Sequence, residues 1–173
     1  IDATEELSIY HTGYLQSDES DVRKSKRNAL LIEKVLEEEP DNYVMMGYLG
    51  DCYVNLKRYD EAVCLYEKVI AYFSDEELGE YDARSAATFK NLMRVLLRMQ
   101  KGVDALEKVY HQAVRNLPKN GDFDYVIGEE YMRLGRFKDA VYHLKRGIDL
   151  LEEFGNAQKT DLLFANLQKA WED

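Results

Sequence analysis

Asp122-Phe123-Asp124 carries two carboxylates in the Asp-x-Asp form, in which both can share one divalent cation together with the diphosphate it carries. The pair follows the turn signal Asn120-Gly121, so the same two side chains also suit the start of a helix, capping its free amides and meeting the positive end of its dipole. We adopt the second reading. Cys52 and Cys64 lie twelve residues apart, too far for the close pairs of a zinc site, and read as reduced, half-buried packing residues. His11, His111 and His143 are scattered, with no i,i+4 pair to hold a metal on one helical face. No nucleophile elbow, P-loop or GxGxxG stretch occurs. The arrangement with most chemical content is Lys90, Arg94 and Arg98, at i, i+4 and i+8. It puts three cations on one face of a helix, able to hold a carboxylate or phosphate of a partner.

The elements that position these residues recur along the chain. With Ala62, Ala105 and Ala140 in register, Leu49, Leu92 and Ile127 stand thirteen earlier, Tyr53, Leu96 and Tyr131 nine earlier, and Tyr66, Val109 and Leu144 four later. Gly50, Met93 and Gly128 fall twelve earlier, and Tyr59, Gly102 and Phe137 three earlier, so the first and third units match each other best. The anchors are 43 and 35 residues apart, near the ~34-residue period of tetratricopeptide repeats. A small residue at the anchor lets two helices approach to about 8–10 Å between axes. A mid-helix glycine costs about 1 kcal/mol against alanine, so Gly50 and Gly128 call for a packing reason of the same kind.

Stops and starts then predict the helices. One runs over 21–39, ended by Pro40, with Leu30, Leu31, Val35 and Leu36 as its apolar face; it forms the second half of a preceding unit. Asp41 or Asn42 caps a helix to residue 56, Lys57-Arg58 turns, and 59–72 returns. A long helix covers 78–99, Gln100-Lys101-Gly102 turns into a helix ending near Asn116, and Pro118 with Asn120-Gly121 breaks the chain. Helices 122–134 and 137–154 pair around Gly135, and 157–171 covers the open end of the stack. The expected fold is all-α: a tetratricopeptide-like α-α superhelix of antiparallel helix pairs. It comprises a half unit 21–40, units at about 43–76, 79–118 and 121–154, and a C-terminal capping helix 157–171.

By this register Asp51, Asn55, Lys90, Arg94, Arg98, Tyr125, Glu129 and Arg133 line one groove on the first helices. The three cations either receive a partner's anion or pair with Asp51, Asn55 or Glu129. The groove does not match the carboxylate clamp of tetratricopeptide co-chaperones. Clamp positions carry Gly47 and Asp51 in the first unit and Asp122 and Val126 in the third, so a carboxylate would meet acid. Lys+Arg 23 against Asp+Glu 33 gives a net charge of −10, which repels phosphate backbones and argues against nucleic acid and anionic membranes as general partners. Glu37-Glu38-Glu39 and Asp75-Glu76-Glu77 read as solvated charge. No apolar stretch approaches the ~20 residues that cross a bilayer, and the expected localisation is cytoplasmic.

The segments Ser8-Ile9-Tyr10-His11-Thr12-Gly13-Tyr14-Leu15, Lys24-Ser25-Lys26-Arg27-Asn28, Leu30-Leu31-Ile32-Glu33-Lys34 and Glu38-Glu39-Pro40-Asp41-Asn42 resemble bacterial family 2 glycosyltransferases that carry tetratricopeptide repeats behind the catalytic domain. The resemblance spans roughly residues 7–72. It implies that 1–20 is the tail of a junction to a catalytic domain lying outside this chain, and that 21–173 is the repeat domain. Nucleotide sugar and divalent cation would belong to the intact enzyme, where His11, Lys24, Lys26 and Arg27 could reach a diphosphate or metal. For this chain we expect no catalytic residue, cofactor or metal. Its expected partners are a protein or peptide, its own catalytic domain, or a second copy in a homodimer. The favoured reading is a non-catalytic interaction module of that enzyme, positioning an acceptor or mediating self-association; the alternative is a free-standing peptide-binding adaptor.

Overall fold

The structure, a computed structural model, describes residues 18–73 and 83–154. Within them the chain forms α1 (Asp18–Glu38), α2 (Tyr43–Asn55), α3 (Tyr59–Tyr72), α4 (Ala83–Arg98), α5 (Val103–Asn116), α6 (Asp122–Arg133) and α7 (Phe137–Phe154), with no strand among the described residues. Each helix packs on the next in sequence, and α4 also packs on α2 and on α6. The first helices of successive pairs therefore stand side by side and share one face. Asn42 caps α2, its Oδ1 accepting from the Met45 N–H at 3.0 Å. The expected helix over 78–99 is described from Ala83, and the expected capping helix 157–171 lies outside the described residues. No helix among the described residues is long and apolar enough to cross a membrane.

The three turns inside the pairs share one geometry. Lys57, Gln100 and Gly135 take left-handed φ values of 60°, 53° and 70°. The residues after them, Arg58, Lys101 and Arg136, donate to the carbonyls of Tyr53, Leu96 and Tyr131 at 2.8, 3.1 and 2.8 Å. This is the Schellman closure of a helix end. In the first and third units the next helix begins two residues after the left-handed position. In the middle unit Gly102, at φ 89°, is inserted before α5 begins. That single residue shifts the register, and fully buried Leu106 takes the anchor place three residues into α5, while the expected anchor Ala105 is only half-buried. Ala62 and Ala140 are fully buried, as the repeat requires.

The glycines have the packing reason expected of them. A Cβ on Gly50 would come within 2.5 Å of the Tyr66 ring, and one on Gly128 within 2.9 Å of the Leu144 side chain. Both neighbours are fully buried. The apolar face expected for α1 needs correction. Leu30, Leu31 and Val35 are exposed, whereas Ser25 and Ala29, with half-buried Ile32 and Leu36, form the side laid against α2. Small side chains at Ser25 and Ala29 permit the close approach that leucines there would prevent.

Candidate functional site

Two carboxylates organise the polar interior. Asp51, on the groove side of α2, accepts from the Tyr66 hydroxyl at 2.6 Å, Arg84 Nη1 at 2.7 Å and the Asn91 amide at 2.8 Å. Asp124 is completely buried and accepts from the Tyr110 hydroxyl at 2.7 Å and Arg146 Nη1 at 2.6 Å, with His143 Nδ1 at 2.9 Å. The His143 ring sits edge-on to Tyr110 and Tyr142 and tilted against Tyr131. Burial first, then the adjoining carboxylate, raises the Tyr66 and Tyr110 phenols well above their ordinary range.

The capping expected of the Asp-x-Asp pair needs correction, because Asn120 takes the first amide of α6 and both carboxylates bond other helices. Asp122 bonds Lys90 Nζ at 2.8 Å, and its own N–H donates to Asn120 Oδ1 at 3.0 Å. Asp124 instead points into the core and ties α6 to α5 and α7. The two side chains serve different neighbours, and no group of His, Cys, Asp or Glu placed to hold a metal occurs among the described residues.

A third element repeats and was not read from the sequence. Tyr53 of α2 donates to Glu33 of α1 at 2.8 Å while Arg58 lies 3.9 Å over its ring. Tyr131 of α6 donates to Glu107 of α5 at 2.6 Å while Arg136 lies 4.3 Å over its ring. The recurring Tyr-x4-Arg spacing, Tyr53/Arg58 and Tyr131/Arg136, was its sequence trace. The middle unit carries Leu96 and Lys101 at those places.

The expected groove residues separate into two groups. Asp51, Asn55, Arg94 and Arg98 come together around a hollow of about 200 Å³ between α2 and α4, with Tyr66 and Asn91 on its floor. Asn55 also donates to Ser25 at 3.2 Å. Arg94 and Arg98 are exposed and form no ion pair among the described residues. Lys90 turns away to Asp122, so the expected partners Asp51, Asn55 and Glu129 are not its partners; Arg84 occupies Asp51 instead. On α6 the residues are engaged along their own helix: Tyr125 donates to Glu129 at 2.7 Å, and Arg133 reaches Glu130 through two bonds of 2.6 and 2.7 Å.

Lys24, Lys26 and Arg27 are exposed on the first half of α1, Lys24 lying 4.0 Å from Asp21 and Arg27 bonding Asn28. His11 lies outside the described residues. The co-chaperone clamp positions serve packing: a Cβ on Gly47 would stand 3.1 Å from Arg84, and Val126 is buried. Cys52 is buried, which raises its thiol pKa, with Asp51 adding to the rise; Cys64 is exposed rather than half-buried.

No family model and no curated protein matches the chain. Solved structures do share its architecture. The putative kinesin light chain TPR-like repeats of Podosopora anserina align with a TM-score of 0.61 at 17% identity, over 95% of this chain and 88% of that one. A crystal structure of MamA aligns with a TM-score of 0.61 at 17% identity over 95% of each chain, and a MamA double mutant with 0.59 at 13% over 90% of each. At these identities the likeness concerns architecture alone, and it agrees with the paired helices, the buried anchors Ala62 and Ala140 and the glycine contacts: this chain has the all-α tetratricopeptide-like repeat fold.

Proposed function

We propose that this chain is a non-catalytic interaction module that holds an acidic segment of a protein partner in the groove between α2 and α4. The observation that carries the reading is the pair Arg94 and Arg98. Both are exposed beside the Asn55 and Asn91 amides, while the other groove cations, Arg84, Lys90 and Arg133, have carboxylate partners. A carboxylate entering there gains charge-assisted hydrogen bonds without displacing an existing pair. The test is selection from a random peptide display library against the whole chain and its Arg94→Glu/Arg98→Glu variant. Enrichment of Asp- or Glu-containing peptides whose affinity falls at least tenfold in the variant supports the reading. Peptides that bind both proteins equally would remove these arginines from it.

From the resemblance over residues 7–72 we further propose that such a module stands behind the catalytic domain of a cytoplasmic bacterial family 2 glycosyltransferase. There the groove positions a protein or glycan acceptor, and the nucleotide sugar and divalent cation belong to the catalytic domain. The coding frame upstream of Ile1 decides this parentage. A strand-rich nucleotide-sugar domain supports it, and a start codon there favours the free-standing adaptor.

A further inference from the structure

Helix α1 is packed on one side only. Ser25, Ala29, Ile32 and Leu36 lie toward α2, whereas Leu30 is 63%, Leu31 57% and Val35 37% exposed. Along the flank of α1 that borders the groove face of α2, Lys24, Asn28, Leu31, Val35 and Glu38 recur at steps of four and three. This is the spacing that keeps one seam of a helix facing a second helix laid along it. Within 23–38 charge is segregated: Arg23, Lys24, Lys26 and Arg27 precede the leucines and Glu37 and Glu38 end the helix, with Glu33 and Lys34 offsetting each other between them and Asp18, Glu19 and Asp21 lying before the stretch.

A second copy of the same helix, running antiparallel, has the complementary pattern. Two-fold symmetry sets the basic stretch 23–27 of each copy against the other's acidic end and brings Leu31 and Val35 of both copies near the axis. A parallel arrangement would set like charge on like. We propose that α1 is a self-association surface, pairing antiparallel with α1 of a second copy of this chain. The assignment gives Lys24 and Arg27 a use within the chain itself. It uses a flank beside the groove but neither Arg94 nor Arg98, so either proposal can fail while the other stands. In this register the paired stretch runs from about Lys24 to Glu38 of each copy, a contact ~22 Å long. One helix face of that length falls short of the ~800 Å² per partner of a standard stable interface, and the dimer is expected to dissociate at micromolar concentration.

Sedimentation equilibrium of the whole chain from low to high micromolar concentration tests this. The expected result is a monomer–dimer equilibrium that weakens at least tenfold in Leu31→Asp, whose helical circular dichroism is unchanged because the site is exposed. Arg27→Glu weakens the dimer, and Arg27→Glu/Glu38→Arg restores it, because the symmetric partner then carries the reversed charges at both ends. A monomer at every concentration overturns the proposal. So does a dimer indifferent to Leu31→Asp, or a double variant no tighter than the single. Arg94→Glu/Arg98→Glu leaves the dimer intact, which separates failure here from failure in the groove.

Discussion

Asp124→Ala distinguishes a structural carboxylate from a ligand-binding one. The wild-type side chain is 0% exposed and faces Arg146 at 2.6 Å, an arginine 28% exposed. Removing one partner of a buried ion pair costs ~3–5 kcal/mol. Partial hydration of Arg146 and the bond it keeps to the Tyr110 hydroxyl at 2.8 Å place this case near the lower limit, at about 3 kcal/mol. For a chain of this size that lowers Tm by roughly 6–12 °C. Asp124→Asn preserves shape and one acceptor oxygen but presents an amide to a site full of donors, so its loss is smaller, about 2 kcal/mol. Asp122→Ala removes a partner from a pair still 18–26% exposed and costs about 1 kcal/mol or less. Urea unfolding followed by circular dichroism gives all three values. Equal, small losses for the two aspartates would refute the argument, because they would mean that Asp124 does not hold α5, α6 and α7 together.

The glycine contacts predict that Gly50→Ala destabilises despite alanine's better helix propensity: a ~1 kcal/mol gain from propensity is outweighed by ~1–3 kcal/mol of overpacking against the buried Tyr66 ring. A variant more stable than wild type in urea would show that the ring yields freely. The phenols of Tyr66, Tyr110 and Tyr131 are all raised by burial and by a neighbouring carboxylate. A raised folded pKa means that the unfolded chain loses these protons first, so stability is full below the unfolded value near 10 and falls as pH climbs above it. Absorbance titration of tyrosinate should rise together with loss of helical circular dichroism, and phenol ionisation completed before unfolding would contradict the buried network. Raising salt from 0.15 to 1 M screens the partly exposed Arg84–Asp51 and Lys90–Asp122 pairs. Amide exchange should therefore quicken more in α4 than in α2 or α6, whereas a uniform change would count against those pairs as the tether.

The first and third units were legible because their markers coincide with contacts. Gly50 and Gly128 stand where Tyr66 and Leu144 cross, and the helices Tyr59–Tyr72 and Phe137–Phe154 begin and end where their turn residues predict. The middle unit slipped by one because Gly102 lengthens the turn after Gln100, and a pattern anchored on alanine follows Ala105 into a half-buried position. On α1 the larger apolar residues drew the face prediction, yet close packing selects the small Ser25 and Ala29. The groove was half legible. Helical spacing brought Arg94 and Arg98 to Asp51 and Asn55, but nothing local tells that Arg84, 33 residues from Asp51, already occupies that carboxylate.

The departures of the middle unit from the repeat bear on one another. Units one and three are fastened to the helix before them by a tyrosine, a glutamate and an arginine: Tyr53 with Glu33 and Arg58, then Tyr131 with Glu107 and Arg136. With Leu96 and Lys101 at those positions, α4 has no such fastening behind it. Its polar ties run sideways across the groove face, Arg84 to Asp51 on α2 and Lys90 to Asp122 on α6. The cations that hold α4 in place and the cations left open beside them therefore lie on the same helix face. A ligand carboxylate bridging Arg94 and Arg98 to the Asn55 amide would add a further tie between α2 and α4 and offset the missing one between α4 and α3, so binding in this groove and rigidity of the middle unit should rise together.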